Sequence, residues 1–203
     1  HQIKPHQFGI ENDCEGFNAW VTARLATVPA TVPVVIVGRY ARSAFGPVEQ
    51  KLAAPGPEVY FGDTRQVATT PEFLDEFGRR VTQSACTIAM TRPVYMVRPL
   101  PEMRTHVPRY MSRRMAAGMP ADVSISMDEY MQRNGWVLKA QDAARDQCGV
   151  VILDPLPYLC RGGRCYASKD GRPIYYDHGH LSEFGNELLS PMFARVFASW
   201  QAR

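Results

Sequence analysis

The sequence lacks the features that define several large classes of protein. No run of it approaches the roughly 18–20 apolar residues of a membrane span, so we expect no transmembrane helix within it. Neither sign of charge dominates: 23 Lys and Arg residues against 20 Asp and Glu residues leave a net charge of +3, too small to indicate a nucleic-acid partner. No nucleotide or metal motif is evident either. What is present is 45% hydrophobic residues over 203 positions, which excludes disorder and provides the core of one domain.

Cysteine is scarce, with five residues, but two of these lie close together. Cys160 and Cys165 enclose a short Gly-rich loop that can bring two Cα atoms close to the roughly 4.4–6.8 Å usual for a disulfide. Such a bond indicates a periplasmic or secreted location. Reduced thiols in a cytosolic protein remain an alternative, as does a zinc site with His178 and His180, although C-x4-C lies at the edge of structural zinc spacings. The sequence indicates no partners for the remaining cysteines, Cys14, Cys86 and Cys148.

Two hydrophobic periodicities alternate along the chain. Continuous apolar runs predict three buried strands, at residues 32–37, 93–97 and 149–154. Helical spacing predicts four helices: residues 14–25, a helix from Pro71, residues 126–148, and a helix from Ser182 that Pro191 kinks or splits. Alternation of this kind predicts a three-layer α/β/α sandwich around a central parallel sheet. We expect a single domain over residues 1–203, with a long irregular loop at residues 41–70.

In open parallel sheets, ligands bind beyond the carboxyl ends of the strands. The residues that follow the predicted strands are therefore candidates for function: Gly38, Arg39 and Tyr40, then the segment from Arg98 to Glu102, then Asp154 and Pro155.

A pair of residues with catalytic potential precedes the last predicted helix. Asp177 and His180 are three positions apart, so in a tight turn the carboxylate can fix the imidazole tautomer and leave the other ring nitrogen as a base. A serine nucleophile needs such a base because its hydroxyl is otherwise inert. D-x-x-H alone is also compatible with a capping loop that contains an incidental histidine.

The surrounding sequence resembles a known family. The matching segments are Leu153–Pro155, Leu159–Cys165, Tyr176–Ser182 with Gly185, Arg92–Met103 with Val107–Arg109, and, more weakly, Cys14–Asn18 with Val34–Tyr40. In this order they are similar to the SGNH domain fused to bacterial family-3 membrane acyltransferases, a branch of the SGNH hydrolase (flavodoxin-like) superfamily.

The resemblance implies an activity and a location. Members attach acyl groups, usually acetyl, to hydroxyls of cell-envelope or exported glycans, such as lipopolysaccharide O-antigen. Their soluble domain is expected to act at the periplasmic face of the inner membrane. The acyl group, derived from acetyl-CoA, is delivered by an integral-membrane domain of the same polypeptide, and the SGNH domain needs no cofactor of its own. By position, His180 is the implied general base of a Ser-His-Asp triad and Asp177 its orienting carboxylate.

The sequence departs from the family pattern at the nucleophile. The expected Gly-Asp-Ser is absent, and the nearest approach, Gly62-Asp63-Thr64, comes after the wrong strand. The chain also opens with His rather than Met and reaches a helix where this architecture begins with a strand. We therefore expect the first strand and its serine to lie upstream of residue 1. The alternative is an inactive relative that binds glycans.

Arg39 occupies the place where lipase-type members have an oxyanion-hole asparagine, and arginine followed by an aromatic residue is usual in the acyltransferase branch. Its guanidinium could stabilise the oxyanion, or it could pair with a loop carboxylate. Glu102 could contact substrate or tie down its loop, and Asp154 competes as the triad acid.

Three further sets of side chains have both a functional and a structural interpretation. Tyrosines could stack on sugar rings, arginines could bind an anionic glycan, a lipid-linked pyrophosphate or the membrane surface, and methionines should fill core gaps. These are Tyr40, Tyr175 and Tyr176; Arg92, Arg98, Arg104, Arg109, Arg113 and Arg114; and Met111, Met115, Met119, Met127 and Met131.

Three functions compete at this point. The first is O-acyl transfer to a periplasmic glycan, the second is ester hydrolysis by the same triad, and the third is glycan binding without catalysis. Acceptor choice depends on the shape of the cleft, which the sequence does not give.

Overall fold

The computed structural model describes residues 3–5, 14–48, 56–61 and 66–201. Its helices are α1 (Cys14–Ala26), α2 (Tyr40–Phe45), α3 (Pro71–Ala89), α4 (Val107–Ala116), α5 (Met127–Cys148), α6 (Leu156–Leu159), α7 (Glu183–Leu189) and α8 (Ala194–Gln201). Its strands are β1 (Ile3–Pro5), β2 (Val34–Ile36), β3 (Val59–Phe61), β4 (Val94–Val97), β5 (Ser124–Ser126), β6 (Val151–Leu153), β7 (Cys160–Arg161), β8 (Arg164–Tyr166), β9 (Ser168–Lys169) and β10 (Arg172–Pro173).

The predicted parallel sheet is present, in the order β2-β4-β6. Its central strand β4 is buried at all four positions, because helices cover both faces. Since side chains alternate across a strand, Val94 and Met96 join the apolar cluster formed with α3 and α5. Tyr95 and Val97 join the opposite cluster, which includes Met192 from the C-terminal segment. The structure thus confirms the α/β sandwich around a parallel sheet.

Both long helices begin where their sequence signals predict, and α5 also ends where predicted, at Cys148. The Thr70 hydroxyl accepts a hydrogen bond from the Phe73 amide at 3.2 Å, with Pro71 in the first turn of α3. Ser126 and Glu129 form the predicted capping box of α5. A disulfide between Cys86 in α3 and Cys148 at the end of α5, with Cα atoms 5.3 Å apart, joins the two packed helices. The sequence had left the partners of these two cysteines open.

Residues 41–70 are not the unbroken irregular loop expected from their Gly and Pro content. They contain most of α2 and all of β3, and β3 pairs antiparallel with β1. The physical reason is aromatic packing: the ring of Phe61 lies 5.3 Å from Phe73 and 5.5 Å from Phe77. The Gly62-Asp63-Thr64 sequence lies outside the described residues.

The C-terminal helix is split, as Pro191 predicts, because proline lacks the amide proton a continuous helix needs. A 3-10 turn at Ser190–Phe193 separates α7 from α8.

The expectation that the methionines fill the core is wrong for most of them. Met111 is 5% exposed, but Met115, Met119 and Met131 are 62%, 43% and 45% exposed. Helix α4 was also not predicted from the sequence. Met115 lies on this helix, and Met119 lies in the turn that follows it.

Among the helices of the described residues, none combines the length and apolar character needed to cross a membrane.

Candidate functional site

The segment 177–180 is held against the carboxyl side of the parallel sheet by backbone hydrogen bonds. The amide of Met103, in the loop after β4, donates to the carbonyl of His178 at 2.7 Å. The amide of Val107, at the start of α4, donates to the carbonyl of Asp177 at 3.0 Å. Behind the segment, the Ser182 hydroxyl caps α7 by accepting from the Gly185 amide at 3.1 Å. The segment is therefore fixed by two neighbouring elements and by the helix that follows it.

Asp177 and His180 form the pair that their spacing predicts. The Nδ1 atom of His180 lies 2.7 Å from Oδ2 of Asp177. The other carboxylate oxygen, Oδ1, accepts from the amides of Gly179 at 2.7 Å and His180 at 2.8 Å. The His180 side chain is 62% exposed and that of Asp177 only 18%. A carboxylate on Nδ1 fixes the neutral tautomer with its lone pair on Nε2, which faces outward as a base.

The same contacts set the charge of Asp177. Burial acts to raise its pKa, but the amides of Gly179 and His180 and the imidazole of His180 outweigh it and hold the pKa well below the usual range. Asp177 is therefore ionised throughout the neutral pH range and can stabilise an imidazolium.

A buried carboxylate joins two arginines beside this pair. Oε1 of Glu102 accepts from Arg39 Nε at 3.0 Å and Nη2 at 2.6 Å, and Oε2 accepts from Arg133 Nε at 2.9 Å. Glu102 is 8% exposed, whereas Arg39 is 28% exposed. Arg133 also donates from Nη2 to the carbonyl of Gly46, after α2, at 2.7 Å. Arg39 thus pairs with a loop carboxylate, and within the described residues its Nη1 has no hydrogen-bond partner.

Gly179 contacts the guanidinium of Arg39 and precedes His180 in the chain. A Cβ atom at position 179 would lie 2.7 Å from Arg39 Nη2, closer than real Cβ contacts allow. The guanidinium therefore packs directly on the residue next to His180. Neither Gly179 nor Arg133 was a candidate in the sequence. Arg133 belongs to no motif, and the resemblance includes Gly179 without a reason for it.

A cavity of about 500 Å³ opens at this place. Its polar side chains include Arg39, Glu102 and Asn134, Gly38 and Gly179 border it, and its other walls come from strand ends and the C-terminal helices. The apolar lining residues are Val37, Ala41, Val97, Leu100, Leu181, Leu189, Met192, Phe193 and Phe197.

Two of the predicted tyrosines lie away from this cavity. The Tyr40 ring packs edge-on against Phe77 at 6.3 Å, and burial raises the pKa of its phenol to about 12. Gly38 allows this position, because a Cβ there would lie 2.8 Å from the Tyr40 ring. Tyr175 is fully buried, which excludes stacking on a sugar, whereas Tyr176 is 71% exposed.

Asp154 has a structural role in the geometry. Its Oδ1 accepts from the Leu156 amide at 3.0 Å, and its Oδ2 lies 4.0 Å from Arg98 Nε. These contacts hold the turn after β6, while the His180 ring is bonded to Asp177 instead.

A sequence model of the family described as "SGNH domain (fused to AT3 domains)" matches residues 3–195. The chain belongs to this family. No curated protein sequence matches it. Among solved structures, it is similar to the Salmonella ser. Paratyphi A lipopolysaccharide acetyltransferase periplasmic domain, with 10% identity and a TM-score of 0.53. The match covers 96% of this chain and 67% of that one, and at this identity it shows a shared fold.

The SGNH domain has a second disulfide, the one its sequence predicts. Cys160 and Cys165 face each other across the β7-β8 hairpin, with Cα atoms 3.9 Å apart. Since both sulfurs are bonded to each other, they are not available as zinc ligands, and the alternative zinc site with His178 and His180 does not form. Within the described part of the chain, no group of three or more Cys, His, Asp or Glu residues is arranged to hold a metal ion.

Proposed function

We propose that this SGNH domain completes O-acyl transfer, with acetyl as the acyl group, onto a hydroxyl of a periplasmic or cell-envelope glycan. Its catalytic base is His180 and its orienting carboxylate is Asp177. The observation that supports this most is the 2.7 Å contact between His180 Nδ1 and Asp177 Oδ2, in a loop that leaves the imidazole 62% exposed. We propose that the serine of the triad lies outside these 203 residues, because they contain no Gly-Asp-Ser sequence.

The reaction has two steps with balanced proton transfer. His180 Nε2 removes the serine proton as the serine oxygen attacks the acyl carbonyl, then gives that proton to the leaving group of the donor. An acyl-serine ester remains. A sugar hydroxyl then attacks this ester while His180 removes the hydroxyl proton, and the proton passes to the departing serine oxygen. The product is the O-acylated glycan, and Asp177 stabilises the imidazolium in both steps.

Arg39 is proposed to stabilise the oxyanion of each tetrahedral intermediate. Glu102 holds its Nε and Nη2, and Arg39 lines the cavity together with Gly179. Nη1 has no partner among the described residues and is proposed as the donor to the oxyanion. A charged donor fixed before the reaction stabilises developing negative charge without reorganisation. The two roles that the sequence left open for Arg39, ion pairing and oxyanion binding, are thus compatible.

The edge of β2 indicates where a serine-bearing strand would pair. Within the described residues β2 pairs only with β4, and its other side exposes Val35 (36%) and Val37 (69%). An apolar groove of about 250 Å³ lies along this edge, lined by Val32, Pro33, Val35, Phe193, Val196 and Phe197. A further parallel strand here would end at the cavity, because parallel strands share their carboxyl edge.

We propose that an integral-membrane AT3 domain of the same polypeptide delivers the acyl group, so the SGNH domain requires no cofactor. The family description, in which the SGNH domain is fused to AT3 domains, supports this partner. Two disulfides support an oxidising compartment such as the periplasm, because disulfides persist there. We propose the periplasmic face of the inner membrane, where an AT3 domain of the same polypeptide would hold this domain.

Ester hydrolysis is the second candidate. The exposed His180 ring favours it, because water can reach the base as readily as a sugar can.

The test is O-acetylation of envelope glycans in cells that produce the complete polypeptide. His180→Ala should abolish acetyl esters, detected by mass spectrometry of the isolated glycan, while Glu187→Ala, an exposed change on α7, should not. A folded His180→Ala protein that still acetylates would refute the assigned base. An esterase would instead cleave aryl acetates and leave glycan acetylation unchanged when deleted.

A further inference from the structure

Helix α4 ends in an exposed apolar tip at residues 115–120. Positions 115–120 are all exposed, with Met115 at 62% and Met119 at 43%. The tip has no charged residue, although the helix before it is rich in arginine. Six consecutive positions are thus exposed, and the core does not account for the methionines among them.

Backbone hydrogen bonds hold the tip in one conformation. The Gly118 amide donates to the Met115 carbonyl at 3.0 Å, and the Met119 amide donates to the Arg114 carbonyl at 2.9 Å. This is a Schellman turn, and it requires a left-handed residue, which Gly118 supplies with φ of 66°. Arg114 Nε also donates to the Pro120 carbonyl at 2.9 Å. The methionines are therefore presented by a preorganised turn, which lowers the entropic cost of burying them.

Arginines surround the base of the tip. Arg109 and Arg113 are exposed and one helical turn apart, and neither forms an ion pair with any described residue. Across from α4, Arg172 of β10 stacks its guanidinium 4.1 Å from the ring centroid of Phe184. One exposed acid, Asp122, follows the tip. Arg109 and Arg113 thus leave unpaired positive charge on α4 at the base of the tip.

We propose that the 115–120 tip inserts into the headgroup region of an anionic lipid bilayer, with Arg109 and Arg113 bound to lipid phosphates. An exposed apolar turn flanked by basic side chains fits a membrane interface, where apolar groups enter the acyl boundary and arginines meet anionic headgroups. A protein partner is favoured less, because the tip has no aromatic side chain and protein interfaces centre on packed aromatic residues.

This contact would fix the distance between the segment 177–180 and the lipid surface. The first amide of α4, from Val107, donates to the Asp177 carbonyl, and the 10 residues of the helix span about 15 Å. The Asp177–His180 pair would then lie within one short helix length of the bilayer surface. Substrates held at that surface would be in reach, although the lipid contact itself does not depend on the proposed activity.

The test is co-sedimentation of the purified chain with vesicles, either equimolar phosphatidylglycerol and phosphatidylcholine or phosphatidylcholine alone. We expect binding to the anionic vesicles only. Arg109→Glu with Arg113→Glu should weaken it by more than about 25-fold, since each arginine near such a surface contributes about fivefold. Met115→Ser with Met119→Ser should weaken it by at least about fivefold, because less apolar area is buried.

The matched control is Met90→Ser with Met131→Ser, which removes two exposed methionines elsewhere. This variant should bind like the unaltered chain, and circular dichroism should show the same fold for all variants. Absence of binding to the anionic vesicles would overturn the proposal. So would equal losses in the control, or tip variants whose vesicle binding is unchanged, an outcome that would favour a protein contact.

Discussion

Glu102→Gln removes the charge that holds two arginines while keeping the size of the side chain. Glu102 accepts three hydrogen bonds, two from Arg39 and one from Arg133, and is 8% exposed. Removing one partner of a buried ion pair costs about 3–5 kcal/mol when the other charge is fully buried. Here the arginines keep 28% and 19% exposure, so water compensates in part. We expect a loss of about 3 kcal/mol in the free energy of unfolding.

Urea denaturation of the purified chain measures this change, followed by tryptophan fluorescence. Trp136 is a suitable reporter because its ring lies 5.0 Å from Phe77 in the core. The control is Glu76→Gln, which removes an acid paired with Arg79 and Arg80 within α3, one helical turn away. Since each such pair within a helix contributes about 0.3–0.5 kcal/mol, this change should cost less than about 1 kcal/mol.

A double-mutant cycle identifies the interaction responsible. Combined with Arg133→Met, Glu102→Gln should cost less than the sum of the single changes, by about 1 kcal/mol or more, because both remove one shared contact. If Glu102→Gln costs no more than Glu76→Gln, or if the two changes add without coupling, the carboxylate does not organise the arginines and the argument for Arg39 fails.

Three further predictions follow from the same geometry. Because the pKa of Asp177 is low in the folded chain, its contacts stabilise the fold fully above an unfolded pKa of about 3.9, and this contribution is lost as pH falls toward the folded pKa. Asp177→Asn should therefore flatten the acid limb of a pH-dependent unfolding series. An unchanged limb would contradict the assignment. Replacing Cys86 and Cys148 by Ser should destabilise the fold by about 4 kcal/mol, and replacing Cys160 and Cys165 by about 2 kcal/mol. The difference arises because Cys86–Cys148 closes a loop with a sequence separation of 62, whereas Cys160–Cys165 closes one of 5. Equal losses in denaturation would argue against these pairings. Gly179→Ala should displace Arg39 and lower acyl transfer in the complete polypeptide. The control Gly171→Ala, on an open turn, should lower only stability. A fully active Gly179→Ala protein would show that the close approach of Arg39 to Gly179 is dispensable.

The sheet and its two long helices were predictable because local signals determine them. The apolar run at β4 and the caps at Thr70 and Ser126 each specify one conformation over a few residues. The Asp177–His180 pair was predictable for the same reason, since both partners lie in one turn.

Features that depend on distant residues were not predictable in this way. Arg133 reaches Glu102 across 31 positions, and nothing in the sequence of α5 distinguishes it from a solvated arginine. β3 forms because Phe61 finds partners in α3, which outweighs the loop character of the flanking glycines and prolines. The exposure of the methionines in the tip of α4 was not predictable either. Methionines are usually buried, and only the tertiary structure shows that these are exposed.

We propose that His180, held by Asp177, activates a serine. A fluorophosphonate reacts with activated serines, and intact-mass spectrometry of the complete polypeptide detects the adduct. We expect one phosphonylated serine in the unaltered protein and a rate of labelling lower by at least about a thousandfold in His180→Ala. Labelling of folded His180→Ala at an undiminished rate would show that His180 is not the base.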